Sequence, residues 1–180
     1  MPTASTGQQS DERTDRETTT GVPRVPPLGA LGEVPWHELR DSSGSAAAVP
    51  LLLNSIAWGA TDTAHSALDE LRGRVCQYGF VTEQATAATV PFLWELARIP
   101  QVACRPGILG LLRNIADARQ WEHTAAAYPK LLNHRENHVV WERAARDAVH
   151  AGRGALAALR CDPDPEVVRA AGELALALGD

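Results

Sequence analysis

His134, His138 and Glu142 stand at i, i+4 and i+8, a spacing that would set three metal ligands on one face of an unbroken helix. Asn133, Arg135, Glu136 and Asn137 surround the first histidine with polar residues where the chain needs a turn, so the two histidines are read as flanking a loop and no metal site is expected. Serines, histidines and acids occur, but without a Gly-x-Ser-x-Gly elbow, a phosphate-binding glycine loop, a dinucleotide glycine pattern or a Cys-x-x-Cys pair. No catalytic residue and no cofactor are therefore assigned. Cys76, Cys104 and Cys161 are odd in number, far apart and set in helical patterns, which suits small buried hydrophobes reduced in a cytosol. Cys76 stands near Tyr78 and Glu83, and nothing beside it would lower its pKa.

Tryptophan is the other residue type that could carry function, since five accompany only two phenylalanines. Trp94 falls on an apolar stripe and is assigned to the core. Trp58, Trp121 and Trp141 fall at helix ends or beside polar residues, where an indole either covers a neighbouring helix pair or anchors a partner.

The elements that would position them come from an internal repeat. Ala48-Val49-Pro50-Leu51-Leu52-Leu53, Thr89-Val90-Pro91-Phe92-Leu93-Trp94 and Ala127-Tyr128-Pro129-Lys130-Leu131-Leu132 share one form, with prolines 41 and 38 residues apart. A period near forty is that of a two-helix repeat. Counting from Val49, Val90 and Tyr128, apolar residues recur at positions three and four, and at seven in the first two, as an amphipathic helix requires. Each motif is expected to open or kink the second helix of a pair, with proline in the first turn or bending a longer helix. Position five is Asn54, Glu95 and Asn133, polar each time, and stacked pairs would align these three as a ladder on an inner face. Asn54, Trp58, Glu95, Trp121, Asn133 and Trp141 are thus the candidate binding residues of a concave surface.

Residues 62–71 read as a capped helix with Ala64, Ala67, Leu68 and Leu71 inward, residues 107–115 as another, and 139–150 with 155–159 as a later pair. Residues 35–39 resemble the first turns of a short helix, Trp36 is placed to seal the open end of the stack, and residues 41–45 form a turn that can cap the next helix. Residues 1–27 are polar, mixed in charge and end in Val22-Pro23-Arg24-Val25-Pro26-Pro27; a disordered tail is expected, followed by one helical domain over 28–180.

Composition agrees with an all-α chain. Alanine and leucine dominate after residue 45, aromatics are 5% and apolar residues 44%. Sixteen of the seventeen basic residues are arginine, which with the abundant alanine suggests a GC-rich bacterial genome. The net charge is -5, and the first 27 residues hold four acids and three bases, so the rest carries -4 and offers no net positive charge to a polyanion. Nucleic acid is disfavoured as a partner. The most apolar stretch, 46–60, is interrupted by Asn54 and Ser55 and too short to span a bilayer; no basic-then-apolar leader opens the chain, and a soluble cytoplasmic protein is expected.

Asp162-Pro163-Asp164-Pro165 followed by Glu166-Val167-Val168-Arg169-Ala170-Ala171 resembles the inter-repeat turn and helix of HEAT repeats. Residues 78–96 are similar to a segment of HEAT-like proteins from actinobacteria. The resemblance implies a short α-solenoid of about four helix pairs, with an aspartate capping the last helix, valine and alanine packed inward, and Arg169 tying neighbouring turns together. It also implies a non-enzymatic protein-binding module: an adaptor, a regulator or an immunity-type inhibitor. The alternative is a HEAT-like enzyme such as an alkyl-base DNA glycosylase, for which Trp94, Trp121, Trp141, Glu95 and Asp117 could be recruited, or a bilin-type lyase. A small molecule held between repeats near Tyr78, Trp94 and Trp121 is a third possibility.

Overall fold

The computed structural model describes residues 28–130 and 137–180. The tail over 1–27, and Asn133 and His134 with the residues around them, lie outside the described residues. Helices dominate: α1 (Val49–Trp58), α2 (Thr61–Val75), α3 (Thr86–Ala97), α4 (Arg105–Asp117), α5 (Gln120–Ala127), α6 (His138–Ala151), α7 (Leu156–Leu159) and α8 (Pro165–Leu178). Two hairpins of two-residue strands interrupt them, β1 (Arg40–Asp41) with β2 (Gly44–Ser45), and β3 (Cys76–Gln77) with β4 (Val81–Thr82), both antiparallel. Among the described residues no helix is long and apolar enough to cross a membrane.

The helices follow from their apolar spacing. In α2 the buried residues are Ala64, Ala67, Leu68, Leu71 and Val75, one stripe at helical period, although no side chain caps its start. α4 is buried on a broader face, with Ile108, Leu109, Leu111, Leu112 and Ile115 fully enclosed. That breadth reflects its position, since α4 packs against α2, α3, α6 and α8. α8 begins as its sequence requires: Asp164 accepts the Glu166 N–H at 2.9 Å, Pro165 is the first helical residue, and Val167, Ala170 and Ala171 point inward.

The main helix contacts form two rows, α1 to α3 to α6 and α2 to α4 to α8, with α1–α2 and α3–α4 packed as pairs. α5 stands outside both rows against α6 and has no buried residue. α5 itself therefore adds no buried residue to the core.

The three proline motifs, alike in sequence, occupy different places. Pro50 is in the first turn of α1, where its missing N–H costs nothing, whereas Pro91 is the sixth residue of α3 and lies inside the helix. Pro129 opens no described helix: Ala127 ends α5, Tyr128 is its C-cap, and Pro129 and Lys130 form a turn. Residues 35–39 are turns rather than a helix, because Trp36 is drawn down to donate its indole N–H to Leu31 O at 2.8 Å. The ring is buried 5.9 Å from that of Phe92, so Trp36 covers the core at this end of the fold.

Polar ties fix the loops to this core. Arg74 on α2 binds Asp41 of the first hairpin at 3.1 Å, and the Asp41 side chain is fully buried. Arg105 at the start of α4 grips Asp162 with two bonds of 2.6 and 3.1 Å, joining α4 to the turn before α8. Arg169 instead pairs with Glu166 and Glu173 of its own helix, and it is Glu173 that reaches across to Arg113 on α4. Inter-element tying at this turn thus falls to Arg105.

Candidate functional site

The contact between α5 and α6 brings aromatic and charged side chains together. α6 presents Glu142, Ala145 and Val149 inward at i, i+3 and i+7, so an acid stands on an otherwise apolar stripe and must find partners. It finds them at the start of α5. The Glu142 carboxylate accepts the backbone N–H of Trp121 at 2.9 Å and of Glu122 at 3.1 Å, closing two of the free donors of that helix terminus. Arg146, one turn along α6, adds a contact to the same carboxylate at 3.4 Å and donates to Ala118 O at 2.9 Å. Glu142 is fully enclosed and its oxygens are committed to these bonds, so it serves as a cap from a neighbouring helix.

Glu122 forms the outer half of the same cluster, with Arg143 Nε at 2.8 Å and Arg146 Nη2 at 2.9 Å from its carboxylate. Hydrogen bonds from Arg143 and then Arg146 hold the Glu122 carboxyl below its usual range.

Against this polar frame lie the rings. Trp121 donates its indole N–H to Thr82 O on β4 at 2.9 Å, which fixes its rotamer. His138, the first residue of α6, stacks on Trp121 with centroids 4.1 Å apart and planes 18° from parallel. Trp141 meets the same imidazole edge-on at 4.8 Å. Both indoles remain half-exposed, and Val140 beside them is exposed.

Of the candidate binding residues, Trp121 and Trp141 are therefore brought together, with His138 between them. Trp58 ends α1 and is 66% exposed. Asn54 is exposed on α1 and folds its amide back onto Pro50 O at 2.9 Å, while Glu95 is half-buried on α3. Asn133 lies outside the described residues. Arg146 and the Thr82 carbonyl complete the site and were not singled out in the sequence; Glu142, weighed there only as a metal ligand, is marked as a structural acid by its place on the apolar stripe of α6.

Trp94 is buried, its indole N–H reaching Val149 O at 3.2 Å and its ring lying directly over Gly152, where a β-carbon would come within 2.2 Å. It joins α3 to the end of α6. Tyr78 and Phe80 instead project from the tip of the second hairpin, whose Tyr78 and Gly79 both adopt positive φ. A hollow of about 360 Å³ lies elsewhere, lined by Leu31, Gly32, Val34, Trp36, His37, Ala47 and Pro50. Burial pushes the Cys76 thiol up to about 12, so it stays protonated, and Cys104 is raised for the same reason. Cys161 departs from the expected burial: it is exposed in the turn after α7.

Comparison of the chain with protein-family models, curated proteins and solved structures gave no match.

Proposed function

We propose that the protein is a non-enzymatic binding module that holds a protein partner on the aromatic face of α5 and α6. The observation that carries this reading is the Trp121–His138–Trp141 run, half-exposed and already ordered by stacking and by the Trp121 bond to Thr82 O. Large aromatic rings that lose little freedom on contact are the side chains that dominate binding energies at protein interfaces. Arginines 119 and 143 at the rim add polar contacts suited to an interface edge.

The two helix rows and the packed pairs α1–α2 and α3–α4 support a solenoid of HEAT-like pairs, to which α5 is an addition. On this reading the addition carries the contact surface. The acidic balance of the chain favours a protein over a nucleic acid, and the commitment of Glu142 to capping leaves that acid no proton-transfer role. Cytoplasmic placement fits the odd, widely spaced cysteines.

A photo-crosslinking residue at position 141 tests the proposal in cells, with the same residue at the exposed Leu176 as control. A discrete protein adduct at 141, absent at 176, is expected. Trp141→Ala should then weaken the purified pair by roughly 2 kcal/mol, about thirtyfold, with melting little changed. Equal adducts at both positions, or unaltered affinity in a folded Trp141→Ala protein, would contradict the proposal.

A further inference from the structure

The hollow of about 360 Å³ beside the start of α1 has walls of Leu31, Val34, Trp36, Ala47 and Pro50, with His37 as a polar member. Its rim is acidic. Glu33 stands between the lining residues Gly32 and Val34, and its exposed carboxylate has no ion-pair partner among the described residues. Glu38, also exposed, lies 3.5 Å from the His37 imidazole.

The chain enters the fold beside this hollow. Leu28 is buried, holds a left-handed φ of 68° and accepts the N–H of Leu31 at 3.1 Å, so the preceding residues start from a fixed point one turn from the lining residue Leu31. Those residues are Val22-Pro23-Arg24-Val25-Pro26-Pro27, in which Arg24 is the only charged side chain between positions 18 and 27.

We propose that residues 22–27 dock in this hollow of their own chain as a polyproline II segment, with Arg24 paired to Glu33. At three residues per turn, Pro23 and Pro26 share one face about 9 Å apart, and Arg24 falls on a different edge, from which it can reach a carboxylate at the rim. Proline faces set into grooves lined by rings and aliphatic side chains are a recurring mode of peptide recognition, and the restricted proline backbone keeps the ordering cost low.

Tether and charge select this occupant. Residue 27 is four positions from Leu31, so the segment is held near the hollow at an effective concentration of about millimolar, which an untethered partner would have to exceed. Glu33 and Glu38 favour a cationic segment. They oppose a second copy of this same acidic rim, and they oppose residues 11–17, where four acids outnumber two bases.

Backbone relaxation measured by NMR on the full chain tests the docking. Arg24 and Val25 should give order parameters near the ~0.85 of rigid backbone, while positions 12–17 stay below ~0.6. Arg24→Glu or Glu33→Arg alone should lower the first pair toward the second, and the two substitutions together should restore it. A peptide of residues 19–27 in millimolar amounts should shift the amides of His37 and Ala47 in the Arg24→Glu,Glu33→Arg background only where the tether is already displaced by neither change, so it is added instead to the Glu33-intact Arg24→Glu chain, where shifts are expected, and to the unaltered chain, where the filled hollow should give none. Arg24 and Val25 as mobile as positions 12–17, no restoration by the charge swap, or equal response of both chains to the peptide would overturn the proposal. Order at Arg24 that rises with protein concentration would overturn it as well, by showing that another copy supplies the segment.

Discussion

α4 and α5 are separated by only Ala118 and Arg119, yet they are held by opposite means. α4 is enclosed by four other helices and contributes seven buried residues; α5 buries none and is fastened by a carboxylate cap, an indole hydrogen bond, a ring stack and an arginine–glutamate cluster. Apolar burial is non-directional and hard to undo locally, because loosening α4 disturbs every neighbour. Polar fastening is directional and can be released one bond at a time. The proposed binding face is thus mounted on a helix held by polar bonds rather than by burial.

The largest effects should come from attacking the α4 side. Val167→Asp buries an unpaired charge where α8 meets α4 and should cost more than about 4 kcal/mol, lowering the single melting transition of the whole domain. A soluble variant melting normally would show that α8 is not packed this way. Leu112→Ala should cost about 3 kcal/mol by leaving a cavity in the middle of the rows, checked by urea unfolding.

Next in size is the latch. Glu142→Gln keeps the volume and one acceptor but sets an amide NH2 against one of the two N–H groups, that of Trp121 or Glu122, so about 2 kcal/mol should be lost, and lost at α5 rather than globally. Gly152→Ala forces a methyl into the Trp94 ring and should cost about 1–3 kcal/mol, with a shift in tryptophan emission.

Acid should weaken both regions. Bonds from Arg105 and the Asp164 N–H hold the Asp162 carboxyl below its ordinary range, and Arg143 and Arg146 do the same for Glu122. A carboxyl depressed by folding contributes stability that is complete above its unfolded pKa, about 4, and is lost as pH falls through the folded value. Melting temperature should therefore hold above about pH 5 and fall below pH 4, and Glu122→Gln should remove α5's share of that fall. Arg143→Ala, at a side chain 61% exposed, should change stability by less than about 0.5 kcal/mol.

The same contrast explains which parts of the molecule were legible in the sequence. α2, α4 and α8 were readable because apolar spacing both defines a helix and says which face is buried; Ala64, Ala67, Leu68 and Leu71 point where the pattern put them. The Asp164 cap and Pro165 start of α8 were readable because they act within three residues. The α5 site was not, because its bonds join residues 20 or more apart: Glu142 to the Trp121 N–H, and the Trp121 indole to Thr82 O across 39 residues. The proline motif was legible at two of its three places: Pro50 meets a helix start and Pro91 a helix interior, as expected, whereas Pro129 stands in a turn whose continuation lies outside the described residues. The short hairpins were missed since two-residue strands leave no period to detect.

Native-state hydrogen exchange tests the contrast between α4 and α5 most directly, because it reports the opening free energy of each helix in the folded protein. Amides in the middle of α4, such as those of Leu111 and Leu112, should exchange only through global unfolding. Those at the start of α5, including Trp121 and Glu122, should open at a free energy several kcal/mol lower, and Glu142→Gln should speed them selectively while leaving α4 unchanged. Exchange of α5 as slow as that of α4, or an equal acceleration of both helices by Glu142→Gln, would contradict the account.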